Sequence, residues 1–260
     1  MSAPPTNRRL LTVERITLSF SGVVALDGVS LDVDEGELIA VIGPNGAGKT
    51  SLFNCISGLY RPQQGVIRLR DRDLRRDPVS RRASLGVARM FQNLALYEHL
   101  TTLENLMIGR HQHFRARWWQ DLLRLPSSLR EEVRHRQHVE RLIDFLDLEP
   151  VRHHPVGVLP YGVLKRIELG RALAMEPALL LLDEPAAGLN QEETEDMARY
   201  LLDIQEELGV TQVLIEHDLH FVMDLANRVT VLDFGRVIAQ GTPEEVRAHP
   251  AVIAAYTGGA

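Results

Sequence analysis

One eight-residue stretch constrains this chain more than any other: Gly43-Pro44-Asn45-Gly46-Ala47-Gly48-Lys49-Thr50. The apolar run Leu38-Ile39-Ala40-Val41-Ile42 precedes it, and Ser51-Leu52-Phe53-Asn54-Cys55-Ile56, helical in character, follows. Strand, glycine-rich turn and helix, with the spacing G-x-x-x-x-G-K-[ST], is the setting of a phosphate-binding P-loop. Gly43, Gly46 and Gly48 let the backbone turn tightly and approach a polyanion. Successive N–H groups then point inward as an anion nest, with the positive end of the next helix behind them. Lys49 adds a mobile charge for the outer phosphates, and Thr50 offers a hydroxyl to Mg²⁺. Lys49 is one of only two lysines, with Lys165, among 29 Lys and Arg residues, so a chance lysine at this position is improbable.

The whole chain sets broader limits. At 260 residues it suffices for one large domain or two small ones. The hydrophobic fraction of 45% and charged fraction of 25% are those of a water-soluble globular protein. A formal net charge of −6 argues against bulk nucleic-acid binding. The single cysteine, Cys55, excludes an internal disulfide and suits a small buried apolar position better than a catalytic one. No apolar run reaches the roughly 20 residues of a membrane span, and Met1 to Arg9 carries no secretory h-region. The expectation is a cytosolic protein, or one held at a membrane by its partners.

Along the chain, Leu11–Phe20 and Val29–Val33 alternate as antiparallel strands do, and Val66–Arg70 reads as another strand. Arg70 to Arg89 is dense in arginine, read first as a solvated face and second as a surface facing anionic lipid or a partner. Thr101–Glu104 and Thr242–Glu245 are capping boxes. Both tryptophans, Trp118 and Trp119, lie in an arginine-bearing stretch that fits an interface or its own packing equally. Leu129 to Leu148 is an amphipathic helix with Val139, Leu142, Ile143 and Leu146 as its stripe. The second half alternates strand and helix: a helix over Val163–Met175, a buried strand at Ala178–Leu182, a helix over Gln191–Leu208 and a strand over Val210–Ile215. This pattern predicts an α/β core.

Two acids end the leucine run, Asp183 and Glu184, and charge beside a buried strand requires a partner. Given the P-loop, Mg²⁺ is the natural one. Asp183 would support the metal, and Glu184 would orient or deprotonate an attacking water. His217 closes a later strand at the same edge of the sheet, where it could sense a terminal phosphate.

In order, these motifs resemble those of the ATPase subunits of ABC transporters, over essentially the whole chain. Phe20 stands at the adenine-stacking position, Gly43–Thr50 with Ser51 at Walker A, and Gln92 at the Q-loop, which implies metal and catalytic contacts. Leu159-Pro160-Tyr161-Gly162 occupies the signature, Leu179–Glu184 is Walker B, Ala187–Asn190 the D-loop and His217 the switch histidine. Phe53–Gly58, Glu184–Asn190, Ile215–Asp218 and Ala254–Gly258 are similar to the LivG-like ATPases of branched-chain amino-acid importers.

Two positions depart from the family pattern. The signature reads Leu-Pro-Tyr-Gly-Val in place of L-S-G-G-Q, and Asn190 replaces the usual aspartate. The resemblance implies an α/β P-loop NTPase with a RecA-like mixed-sheet core, an antiparallel β subdomain and an inserted α-helical subdomain. The core would span about 8–92 and 176–260, and the helical insertion about 93–175, within a single ABC ATPase domain over 1–260. It implies ATP and Mg²⁺ as cofactors, a second ATPase subunit, two transmembrane permeases and, indirectly, a solute-binding protein. The place of action would be the cytoplasmic face of the inner membrane. A GTPase is disfavoured because no N-K-x-D motif occurs. ATPases of urea, amide or other amino-acid importers, of lipid exporters, or a stand-alone regulatory ABC subunit remain the alternatives.

Overall fold

The apolar runs of the sequence lie at the centre of a six-stranded sheet in the computed structural model, which describes residues 8–91, 94–113 and 126–257. Its strands are β3 (Leu38–Ile42), β6 (Val87–Met90), β7 (Leu179–Asp183), β8 (Thr211–Ile215), β9 (Arg228–Asp233) and β10 (Arg236–Gly241). The order is β10-β9-β3-β8-β7-β6; all pairs are parallel except β10 with β9. Every residue of β3, β7 and β8 is buried. Alternate side chains serve two cores: Ala40, Leu180 and Leu214 face one, Val41, Leu181 and Val213 the other. Burial on both faces is why these strands read as unbroken apolar runs.

One of those cores is closed by an antiparallel sheet, formed by β2 (Val23–Asp34), β1 (Arg9–Phe20), β4 (Gln64–Leu69) and β5 (Arg72–Asp73) in that order. Helix α1 (Lys49–Ser57) supplies Leu52, Phe53, Cys55 and Ile56 to it. Burial pushes the Cys55 thiol up to about 12, so it stays a neutral thiol, in line with its reading as a small apolar residue.

Helices cover the other core: α3 (Thr102–Gly109), α4 (Pro126–Phe145), α5 (Tyr161–Leu173), α6 (Gln191–Glu206), α7 (Leu219–Leu225), α8 (Pro243–Arg247) and α9 (Pro250–Thr257). Val139, Ile143 and Leu146 form the buried stripe expected for α4 and its C-terminal end. Both predicted capping boxes are present. A third, Asn190 with Glu193, opens α6 and gives the asparagine of the D-loop position a structural job. Helix α5 begins two residues earlier than its pattern suggests. Pro160, at φ −57° and ψ 153°, serves as its N-cap, a conformation the proline ring favours.

The arginine-rich stretch differs from a solvated face. It contains a short helix, α2 (Val79–Ser84), and strand β6, and its Arg82 is only 2% exposed. The Arg82 guanidinium donates to the carbonyls of Cys55 (2.5 Å), Ile56 (2.8 Å), Leu74 (2.6 Å) and Asp77 (3.0 Å). It thereby satisfies the C-terminal end of α1, where orphan carbonyls need donors. Other arginines of the stretch form exposed ion pairs, Arg72 with Asp77 and Arg75 with Asp73. Gln92, Trp118 and Trp119 lie outside the described residues.

Arg82→Ala leaves several buried carbonyls without a donor and opens a cavity, so it should cost about 3 kcal/mol. Urea unfolding followed by circular dichroism measures this. A loss below about 1 kcal/mol would reduce Arg82 to a passive neighbour.

Candidate functional site

Strand register sets the site. Val41 of β3 and Asp183 of β7 both align with Ile215 of β8. The residues that follow each strand therefore emerge side by side at one carboxyl edge. These are the P-loop after β3, Glu184 after β7, and Glu216 with His217 after β8.

The P-loop needs its glycines. Gly43 has φ +147°, and a Cβ there would lie 2.0 Å from the Leu232 carbonyl oxygen. Gly48 has φ +103°, and a Cβ would lie 2.6 Å from the Ala25 carbonyl oxygen. Gly48 is also the N-cap of α1 and makes no side-chain cap, and no acid occupies the first turn. The leading N–H groups of α1, around Lys49, Thr50 and Ser51, are thus available to an anion. The Lys49 ammonium donates to the carbonyls of Gly43 (2.6 Å) and Pro44 (3.1 Å). Burial holds its pKa below the ordinary lysine value, and the charges of Glu184 and Asp183 offset part of that. Burial pushes the Tyr256 phenol of α9 upward in pKa, and the Gly43 backbone offsets part of that.

Asp183 is 3% exposed, and its Oδ2 lies 2.6 Å from Nη2 of Arg89. The sequence made Mg²⁺ the natural partner of this acid; the fold supplies a protein cation as well, because a buried carboxylate must be compensated in the folded chain itself. Arg89 also donates to Asn54 Oδ1 of α1 (2.6 Å) and lies over the rings of Phe53 and Phe91. The second Asp183 oxygen and the Thr50 hydroxyl are hard oxygen donors of the kind Mg²⁺ takes alongside phosphate and water. Among the described residues, no three His, Cys, Asp or Glu side chains converge as a metal cage. A metal completed by phosphate needs none.

Glu184 takes the left-handed conformation, φ +51°, unusual for a non-glycine residue. Its N–H donates to the Ile215 carbonyl (2.9 Å). Its own carbonyl accepts from Lys165 Nζ (3.4 Å) and from the Ala187 N–H (3.2 Å). Lys165 is fully buried in α5 and also faces the Tyr161 ring, 5.7 Å from its centroid. Glu216, 1% exposed, accepts the N–H of Ala186 (3.0 Å) at Oε1 and that of His217 (3.2 Å) at Oε2. Burial raises the pKa of the Glu216 carboxyl, those N–H groups and the His217 ring pull it down, and Glu184 raises it further. His217 projects its side chain outward, 63% exposed.

The signature residues lie at the start of α5, against the segment that follows β7. A Cβ on Gly188 would lie 3.0 Å from the Tyr161 ring, and one on Gly162 would lie 2.2 Å from Glu193 Oε1. Leu159 is half-buried, while Pro160 and Tyr161 are exposed. Phe20, 44% exposed at the end of β1, meets Tyr60 edge-on at 5.0 Å. A cleft of about 520 Å³ separates Pro44–Ala47 from Phe234 and the alanines of α9. None of Leu159–Gly162, Glu184 or His217 lines it. A larger cleft of about 830 Å³, lined by Arg110, His135 and His138, opens elsewhere, between α4 and the α2–β6 turn.

Sequence reasoning did not single out Arg89, Lys165, Glu216 or Tyr256. Lys165 and Glu216 did leave a trace. Lys165 is one of only two lysines, and Glu216 prolongs an apolar strand.

The model of the family described as "ABC transporter" matches residues 26–187, and that described as "Branched-chain amino acid ATP-binding cassette transporter" matches residues 236–260. The chain is 38% identical to the high-affinity branched-chain amino acid transport ATP-binding protein BraF of Pseudomonas aeruginosa, over 97% of this chain and 99% of that one. It is 37% identical to the corresponding protein LivG of Escherichia coli K12, over 96% and 98%. A nucleotide-free ATP-binding cassette from an ABC transporter superposes with a TM-score of 0.83 at 30% identity, covering 96% of this chain and 99% of that one. An ABC-transporter cassette in its ADP conformation gives 0.84 at 30% identity, with the same coverage.

Lys49→Ala should weaken nucleoside triphosphate binding by about 10- to 100-fold, the worth of one charge-assisted contact, while the fold persists. Calorimetric titration checks this, and an unchanged affinity would remove Lys49 from the phosphate site.

Proposed function

Because the chain belongs to the family of ABC transporter ATP-binding proteins, we propose that it is the ATP-hydrolysing subunit of an importer for branched-chain amino acids. The observation that carries the ATPase reading is the meeting of Lys49, Asp183, Glu184 and His217 at one edge of the sheet, set by the aligned ends of β3, β7 and β8. The substrate class rests on the match over residues 236–260 and on the two relatives.

In this reading, the N–H groups of Gly43–Ser51 cradle the phosphates of ATP, and Lys49 leaves its carbonyl partners to meet the outer ones. Thr50 and Asp183 would hold Mg²⁺, with Gln92 as a further contact, and the metal would supply neutralisation of phosphate charge. Glu184 takes a proton from the attacking water as that water's oxygen bonds to the γ-phosphorus, and ADP leaves with the bridging oxygen. His217, turned outward, steadies the γ-phosphate. Phe20 stacks on adenine. Leu159–Gly162 face the nucleotide of a second ATPase subunit, where the helix N-terminus and Gly162 remain as recognition elements although Pro160 lacks an N–H.

No helix among the described residues is long and apolar enough to cross a membrane. Coupling to transport then requires two transmembrane permeases, a solute-binding protein that delivers cargo to them, and a place on the cytoplasmic face of the inner membrane.

Glu184→Gln keeps the shape and removes the base. It should retain ATP affinity within about twofold while kcat falls about 10²- to 10⁴-fold. Phosphate release and equilibrium ATP binding are the measurements, and hydrolysis near the wild-type rate would exclude Glu184 as the base.

A further inference from the structure

We propose that Glu216 is a positioning residue for hydrolysis, a buried carboxylate that joins the turn carrying Glu184 to the segment carrying His217; this rests on the ATPase reading above. Glu216 has no assigned part in the mechanism, yet it is a nearly inaccessible acid at the centre of the carboxyl edge. Such an acid is costly unless its oxygens are filled. Both are, by backbone N–H groups from different motifs. Oε1 takes the Ala186 N–H at 3.0 Å, and Oε2 takes the His217 N–H at 3.2 Å with the His217 Nδ1 at 3.6 Å.

The Ala186 bond matters because of what precedes it. Glu184 is left-handed, a conformation that persists only where its surroundings over-determine it. Three groups from other segments are among those that hold that turn. The Ile215 carbonyl accepts the Glu184 N–H, Lys165 donates to the Glu184 carbonyl, and Glu216 holds Ala186 two residues on. Glu216 alone among the three also grips the histidine. It bonds the backbone beside both groups and acts through these neighbours, by fixing where Glu184 and His217 stand relative to each other.

Side-chain chemistry predicts a graded response. Glutamine offers one acceptor oxygen and turns an NH₂ toward the other N–H donor, so it keeps one of the two bonds. Alanine keeps neither. A displacement of about 1 Å at a reacting group costs up to about 10²-fold in rate. Glu216→Gln should therefore lower kcat about tenfold and Glu216→Ala about a hundredfold, each with the KM for ATP within about twofold.

The experiment measures MgATP hydrolysis and ATP binding for wild type, Glu184→Gln, Glu216→Gln, Glu216→Ala and the double variant Glu184→Gln/Glu216→Gln. Because Glu216 acts in part by placing Glu184, whose carboxylate the double variant lacks, that variant should be slower than Glu184→Gln by less than the full Glu216→Gln factor, the remainder passing through His217. Three results would each overturn the proposal. One is a wild-type kcat in Glu216→Gln. Another is loss of ATP binding in step with turnover, which marks a merely structural acid. The third is a double variant slower by the full Glu216→Gln factor, which marks independent action. The functional reading is judged separately, by an active wild type and a Glu184→Gln variant slowed about 10²- to 10⁴-fold.

Discussion

A strand buried on both faces has room for charge only at or beyond its ends. β3, β7 and β8 meet this condition, each completely buried and each feeding alternate side chains to two cores. Polar chemistry is thereby driven to the strand termini, and parallel register brings those termini level. The P-loop, the acid pair and the Glu216–His217 step are neighbours for this reason. The antiparallel sheet and the helical layer serve the same end, since each covers one face of the strands and keeps water from their flanks.

Concentrating charge at one buried edge creates a debt of desolvation that the protein settles internally. Asp183 has Arg89, Lys49 has two carbonyls, Glu216 has two N–H groups, and Lys165 has a carbonyl and an aromatic face. Asp183, Glu216 and Lys165 each reach a partner in another segment, while Lys49 is held by carbonyls of its own loop. Ligand binding at such an edge exchanges partners and does not create charge pairs from nothing. Arg89 shows how far the web extends, for it links Asp183 to Asn54 of α1 and packs against Phe53.

Much of this was legible in the residues. The P-loop, the leucine run with its two acids, the α4 stripe and two capping boxes carry local rules that tertiary context does not overturn. Strand β6 was hidden because Val87–Met90 is short and sits in a run of arginines that reads as surface. Arg82 and Arg89 were misjudged for the same reason: composition says exposed, while their partners are carbonyls and a carboxylate distant in sequence. Glu216 acts through backbone N–H groups, and a backbone partner leaves no mark in the amino-acid string. Asn190 was the opposite case, an apparent departure from a functional pattern that local helix chemistry explains.

The placement of β3 has a consequence for how the molecule reaches its native state. Leu38 pairs with Gln212 and Ile39 with Arg228, so the innermost strand finds its two flanking strands only after most of the polypeptide has been made. Long-range parallel pairing is slow, and an unpaired apolar segment invites association with other chains in the meantime. At roughly 5–20 residues per second of synthesis, Leu38–Ile42 waits on the order of ten seconds or more for its sheet. During that interval the nascent hydrophobic strand is the natural target of a chaperone.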